Sequence, residues 1–287
     1  VQTCALPILI LTGTTYYDNV VSVPVLAALW LIVRDRVLLD AGPWPKARRT
    51  AIWAGALVGV AVGLKLPTAP FGLAILAAVA AAPGAHARRA GLVFVTGLAA
   101  FAGLMAASGW WFFVLWRETG NPLFPYFNDI IGSSLILDSS YRDTRFLPQS
   151  AMEALTFPFR FVQDWRVASD WPVNDWRIAL AYAALPLGTV AALLRPGASA
   201  PVPWSRAKIL FAFAAAAYVS WLAVFAIYRY ITPLEMIAPL LIVAAIGLAP
   251  LPSPARWGAI ALALLAVVGL TTLHKGNRAA FAERFVE

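Results

Sequence analysis

Charge is scarce in this sequence. Asp, Glu, Lys and Arg make up 13% of its 287 residues, about half the quarter usual for soluble domains, and that excludes a fold with an ordinary solvated surface. Cysteine is nearly absent, and with Cys4 alone no intramolecular disulfide can form. Of the two histidines, His86 stands among Arg88 and Arg89 and His274 near the C-terminus; neither has the neighbours a zinc site requires. No P-loop, GxGxxG, GxSxG or HExxH pattern occurs, so the usual phosphate-cradle, nucleophile-elbow and zincin chemistries have no foothold. Internal repeats are missing too, and low complexity is confined to Ala-rich stretches.

What is present is apolar length. Hydrophobic residues make up 61% of the chain, and about 20 residues at 1.5 Å rise cross a ~30 Å hydrocarbon core. Eight runs qualify or nearly qualify: 18–34, 50–64, 66–82, 89–107, 177–195, 207–226, 231–249 and 256–273. The expected fold class is therefore an all-α integral membrane protein with about eight transmembrane helices. The second and third runs are short and separated by GLKLP at 63–67, so they are either two spans or one bent hairpin. The net charge of +8 would suggest nucleic acid in a soluble chain. Here the basic residues gather at helix ends, where they set topology and meet membrane lipids, and no nucleic-acid partner is expected. With Arg34, Arg36, Lys46, Arg48 and Arg49 in the cytoplasm, alternation also puts Arg88, Arg89, Arg195, Arg206, Lys208 and Arg256 there.

The same alternation sends the long polar interruption between the fourth and fifth runs to the opposite side, an extracytoplasmic loop at 108–176 between bundle halves at 9–107 and 177–273. Trp110, Trp111, Phe112, Phe113 and Trp116 are interface residues, and the run stops at Gly120-Asn121-Pro122. It predicts a short helix lying flat on the bilayer. Residues 274–287 read as a polar tail. VQTCALPI at 1–8 reads as a translated sequencing-adapter oligonucleotide, so it is set aside, and natural sequence is expected upstream of it.

Charged and polar residues within or beside the apolar runs are the candidate chemistry. Asp18, in TYYDNVV, can be a general base, a divalent-cation ligand or a helix N-cap. Lys65 lies where an unpaired cation is costly, which makes it either a functional group facing a phosphate or carboxylate or a turn residue that snorkels. Arg229, flanked by Tyr228 and Tyr230, suits bidentate phosphate recognition, or pairs with Glu235 to close a helix junction. Tyr17 and Asn19 at the mouth, Asn121, Tyr126 and Asn128 in the loop, and Tyr228 and Glu235 beside Arg229 complete the candidate substrate contacts. Asp143/Arg145 and Asp175/Arg177 are either local ion pairs that order the loop, which the frequency of exposed pairs favours, or catalytic groups.

Taken together, YYDN at a helix mouth, GLKLPTAP between short helices, GNPLFPYFN after an aromatic helix, DTRFLP, DWR before a returning helix, and RYITPLE resemble bacterial members of the GT-C glycosyltransferase superfamily. That group includes protein O-mannosyltransferases, aminoarabinose transferases and oligosaccharyltransferase catalytic subunits. The resemblance covers nearly the whole chain after Ile8 and specifies the superfamily better than a substrate. It implies transfer of a sugar from a polyprenyl-phosphate donor to a cell-envelope acceptor, at the outer face of the bacterial cytoplasmic membrane. Asp18 would then serve as base or as ligand of a divalent cation (Mg or Mn), with Lys65, Arg229, or both at the donor phosphate. Asp18 matches the acidic residue of the superfamily's second outer loop only loosely. The principal acid of the first outer loop has no counterpart here, as expected of an N-terminally truncated chain. A lipid-linked glycan transporter and a non-catalytic scaffold of the same fold are the competing readings; the missing repeat symmetry speaks against the transporter.

Overall fold

The computed structural model describes residues 17–133, 135–139, 141–170, 172–195 and 200–271; the stretches at 1–8 and 274–287, and His274 with them, lie outside. Among the described residues all regular structure is helical. In chain order the helices are α1 (Asp18–Arg34), α2 (Arg36–Ala41), α3 (Trp44–Leu64), α4 (Ala69–Ala81), α5 (His86–Thr119), α6 (Asn128–Ile131), α7 (Ala151–Phe161), α8 (Trp176–Leu194), α9 (Trp204–Val224), α10 (Thr232–Gly247) and α11 (Ser253–Leu270). Short 3₁₀ turns stand at Leu66–Thr68, Trp165–Val167 and Tyr228–Ile231.

Six of these are long and apolar enough to cross a membrane: α3, α5, α8, α9, Tyr228–Gly247 and α11. Of the remaining expected spans, α1 has 17 residues and Leu66–Ala81 is a shorter apolar helix. The break between the second and third runs is real: Leu64 ends α3, Lys65 is extended at φ −152° and ψ 105°, and Pro67 belongs to the 3₁₀ turn.

The flat interface helix is not there. Residues 110–116 continue α5, one helix of 34 residues. Nothing between Leu104 and Thr119 interrupts the backbone hydrogen bonding; the helix stops at Gly120, which takes the left-handed conformation (φ 77°) that glycine tolerates. The connecting segment therefore starts later than expected, at 120. At 1.5 Å per residue, about 19 residues cover ~30 Å, so a hydrocarbon core entered near Gly91 ends near Trp110. Trp110, Trp111 and Trp116 are all more than half exposed and stand on this continuous helix.

Between lipid-facing helices there is little hydrophobic drive, because lipid tails are as apolar as leucine, so close backbone approach matters more. The widest helix contact, α3 with α5, is built this way. Gly55, Gly59 and Gly63 recur every fourth residue along one face of α3. A Cβ on Gly55 would lie 2.3 Å from the Thr96 carbonyl oxygen, and one on Gly59 would lie 2.0 Å from that of Ala100. Gly103 returns the contact, its absent Cβ 2.4 Å from the Ala56 oxygen. Elsewhere α4 lies along α9, where Phe71 and Phe213 stack 6.1 Å apart, and α8 lies along α10. Helix α1 touches α3, α4, α9 and α10, and this central place brings its first residue to several helix ends.

At the Arg34 end, basic residues do structural work. Arg88 donates to the carbonyls of Leu39 (2.7 Å), Leu38 (2.9 Å) and Gly42 (2.6 Å), closing the C-terminus of α2. Asp35 pairs with Arg34 and accepts from Thr50 Oγ1 at 2.7 Å. The Arg34 contact holds its carboxyl below the ordinary range.

The segment 120–175 sits at the Asp18 end and, within the expected loop, contains the helix α7. Ser150 caps α7 by accepting from Glu153 N (3.1 Å), and Glu153 accepts from Gln149 N (2.8 Å), a variant of the capping box in which the Glu side chain reaches the residue before the cap. The helix presents Phe157 and Phe161, each about 2% exposed or less, to Trp221 and Tyr228 at ring distances of 5.8 and 5.7 Å. The segment thus docks on the α9–α10 corner.

Candidate functional site

The proline-terminated end of α3 carries Lys65 toward the start of α1. Its Nζ donates to Asp18 Oδ1 at 2.6 Å and lies 4.9 Å from the ring centre of Tyr17 and 5.3 Å from that of Tyr230. Tyr17 fastens the arrangement by donating to the Leu64 carbonyl at 3.2 Å. The side chains of Lys65 and Asp18 are 12% and 5% exposed. Lys65 is therefore a paired cation, and a carboxylate is its partner. Asp18 is not an N-cap: it is the first residue inside α1, makes no capping bond and turns its side chain to Lys65. Its Oδ2 is buried with no hydrogen bond.

Arg229 comes to the same place from the 3₁₀ turn before α10. Its Nη2 donates to the Tyr230 hydroxyl at 2.9 Å, and its guanidinium lies 4.9 Å from that ring centre. Asp18, Ser22, Thr68, Phe71, Arg229 and Tyr230 line a narrow cleft of about 10 Å³, roughly the space of one water. The three charged residues singled out in sequence meet at one site, with Tyr17 at its edge and Tyr230 as an addition. A larger ligand must approach from the mouth or spread the helix ends.

The loop contributes charge from above. Arg145 grips Asp143 through Nε (3.0 Å) and Nη2 (2.8 Å). That contact, aided by the charge of Arg229, holds the Asp143 carboxyl below its ordinary range. Arg145 also reaches Asp170 at 3.4 Å, so the DTR ion pair orders the loop as expected.

Two other expectations resolve differently. Glu235 does not pair with Arg229; its partner is Arg177, which also holds Asp175 through Nε (2.9 and 3.0 Å) and Nη2 (2.7 Å). Tyr228 donates its hydroxyl to Asp175. This quartet is buried, with Asp175 and Arg177 1% exposed, so DWR is a buried anchor and not a local surface pair. Tyr228 and Glu235 belong to that anchor; neither lines the cleft.

Asn121 likewise spends its side chain on shape. Its Nδ2 donates to the Tyr126 carbonyl (2.9 Å) and its Oδ1 accepts from Leu123 N (2.9 Å), folding GNPLFPYFN onto the end of α5. Asn128 donates to the Leu137 carbonyl at 3.1 Å. Tyr126 is 43% exposed, and Asn19 stands next to Asp18 at the start of α1.

For a divalent cation the residues do not fit. Among the described residues no three His, Cys, Asp or Glu converge, and one Asp18 oxygen already holds an ammonium, so no step is derived through a metal.

A separate apolar cavity of about 470 Å³ lies between α8, α9 and α10, lined by Tyr182, Leu185, Pro186, Phe211 and Tyr218 among others.

No family model matches the chain, and neither a curated protein nor a solved structure shows detectable similarity to it.

Proposed function

We propose that this protein is a membrane glycosyltransferase of the GT-C kind, moving a sugar from a polyprenyl-phosphate donor to the hydroxyl of a cell-envelope acceptor at the outer face of the cytoplasmic membrane. The observation that carries the reading is the Asp18 carboxylate. One oxygen is held by Lys65, the other accepts nothing, and Arg229 stands on the same cleft. Inverting transfer at an anomeric carbon needs a base to take the acceptor proton and positive charge near the departing lipid phosphate. In this reading Asp18 Oδ2 takes the proton, while Arg229 and the Lys65 ammonium face the phosphate from the cleft mouth.

The test is release of polyprenyl phosphate by the purified full-length protein, offered a panel of polyprenyl-phosphate-linked sugars without any ion gradient. Wild type is expected to release it from at least one donor, and Asp18→Asn to lower the rate by about 10²-fold or more. Equal release by Asp18→Asn removes the acid's role. Absence of release from every donor, with gradient-dependent movement of the intact donor instead, moves the assignment to a transporter.

A further inference from the structure

The buried quartet of Asp175, Arg177, Tyr228 and Glu235 contains two carboxyl groups and one guanidinium. Exposure is 1% for Asp175 and Arg177, 2% for Glu235 and 6% for Tyr228. The donors are shared very unevenly. Asp175 Oδ1 accepts from the Arg177 backbone N–H (2.8 Å) and Nε (2.9 Å), while Oδ2 accepts from Nε (3.0 Å), Nη2 (2.7 Å) and the Tyr228 hydroxyl. Glu235 receives one bond, from Arg177 Nη2 to Oε1, and its Oε2 is buried with no donor. One guanidinium nitrogen thus bridges both carboxyls. The titratable groups that face Glu235 are Arg177 and Asp175 from the start of α8 and Tyr228 from the 3₁₀ turn.

The geometry points to a resident proton on Glu235, which makes this quartet a neutral, proton-holding anchor that pins Tyr228 and thereby sets Arg229 at the Asp18 cleft. Two ionised carboxylates against one guanidinium would bury a net negative charge away from water, which is costly at this depth. The bond count says which carboxyl is neutral: four donors, through five hydrogen bonds, stabilise the charge on Asp175, whereas an ionised Glu235 would leave Oε2 bare. Protonated at Oε2, Glu235 still accepts from Arg177 through Oε1.

The pinned corner is continuous with the site. Tyr228 N donates to the Ala168 carbonyl (2.7 Å), Trp221 Nε1 donates to the Ile227 carbonyl (2.9 Å), and Arg229 follows directly in the chain. The anchor ties the returning loop, α8 and α10 together at the residue before the cleft arginine. This inference does not depend on sugar transfer; a transporter of the same fold would hold the same proton.

Infrared spectroscopy of the purified full chain in lipid nanodiscs tests it directly. Wild type should show a protonated-carboxyl C=O band that persists from about pH 6 to about pH 9, where ordinary carboxylates are ionised. The band should shift on [¹³C]glutamate labelling and vanish in Glu235→Gln. Because Gln is a neutral isostere of the protonated acid, Glu235→Gln should fold and melt within a few degrees of wild type, whereas Arg177→Gln should not. A wild-type protein without the band, a band that survives Glu235→Gln, or a Glu235→Gln variant that fails to fold would each overturn the assignment.

Discussion

At the scale of the residue, the decisive contact is a carboxylate and an ammonium 2.6 Å apart, both largely withdrawn from solvent. Removing one member of such a pair leaves the other charge buried and uncompensated, at a cost of about 3 kcal/mol or more, whereas replacing both is far less damaging. Lys65→Met is therefore expected to lower the unfolding free energy in detergent by about 3 kcal/mol, and Asp18→Asn/Lys65→Met to recover most of the loss. Urea or thermal melts of the single and double variants check this. A Lys65→Met protein as stable as wild type would mean that water reaches the pair, so that it does not act as a dry site. The aromatic rings of Tyr17 and Tyr230 beside the ammonium add cation–π attraction, of order 0.5–2 kcal/mol each.

At the scale of the element, the long helix α5 and the glycine face of α3 form the rigid half of the bundle. Lys65 follows directly after α3, so the placement of the site depends on how closely these two helices approach. Gly59→Ala puts a Cβ 2.0 Å from the Ala100 carbonyl oxygen; backbone cannot yield as a side-chain tip can, so the helices must part. A loss of about 1–3 kcal/mol is expected. Gly258→Ala on α11 is the matched control, with nothing within 4 Å of the new methyl group, and should be neutral or slightly stabilising. Equal melting of the two variants would show that the α3–α5 approach is looser than described.

At the scale of the whole molecule, the polar machinery is divided between two ends. Arg34, Arg88 and Asp35 close one, while Asp18, Lys65, Arg229, the quartet and the segment 120–175 occupy the other. The charge bias predicts that the Arg34 end is cytoplasmic. In a cysteine-free background, Gln149→Cys should react with a membrane-impermeant maleimide in intact cells, and Asp40→Cys only after permeabilisation. The reverse pattern would turn the protein over and move the candidate site to the cytoplasmic face.

The sequence by itself determined that the chain is a set of apolar helices, and it marked Asp18, Lys65 and Arg229 as candidates. Both are local properties: hydrocarbon length is counted along the chain, and a charge beside apolar residues is costly wherever its partner lies. It did not reveal that Trp110 to Trp116 continue α5, because interface composition reports depth and not helix direction. Nor did it reveal α7, although Ser150 and Glu153 carry the capping signal. Partners were decided only by tertiary structure. Lys65 meets Asp18 across 47 positions and Arg177 meets Glu235 across 58, and nothing in either local sequence distinguishes that pairing from Glu235 with its near neighbour Arg229. Which helix ends come together depends on backbone approach, set by small residues such as Gly59 against Ala100, and that is a property of two surfaces in contact, written in neither helix alone.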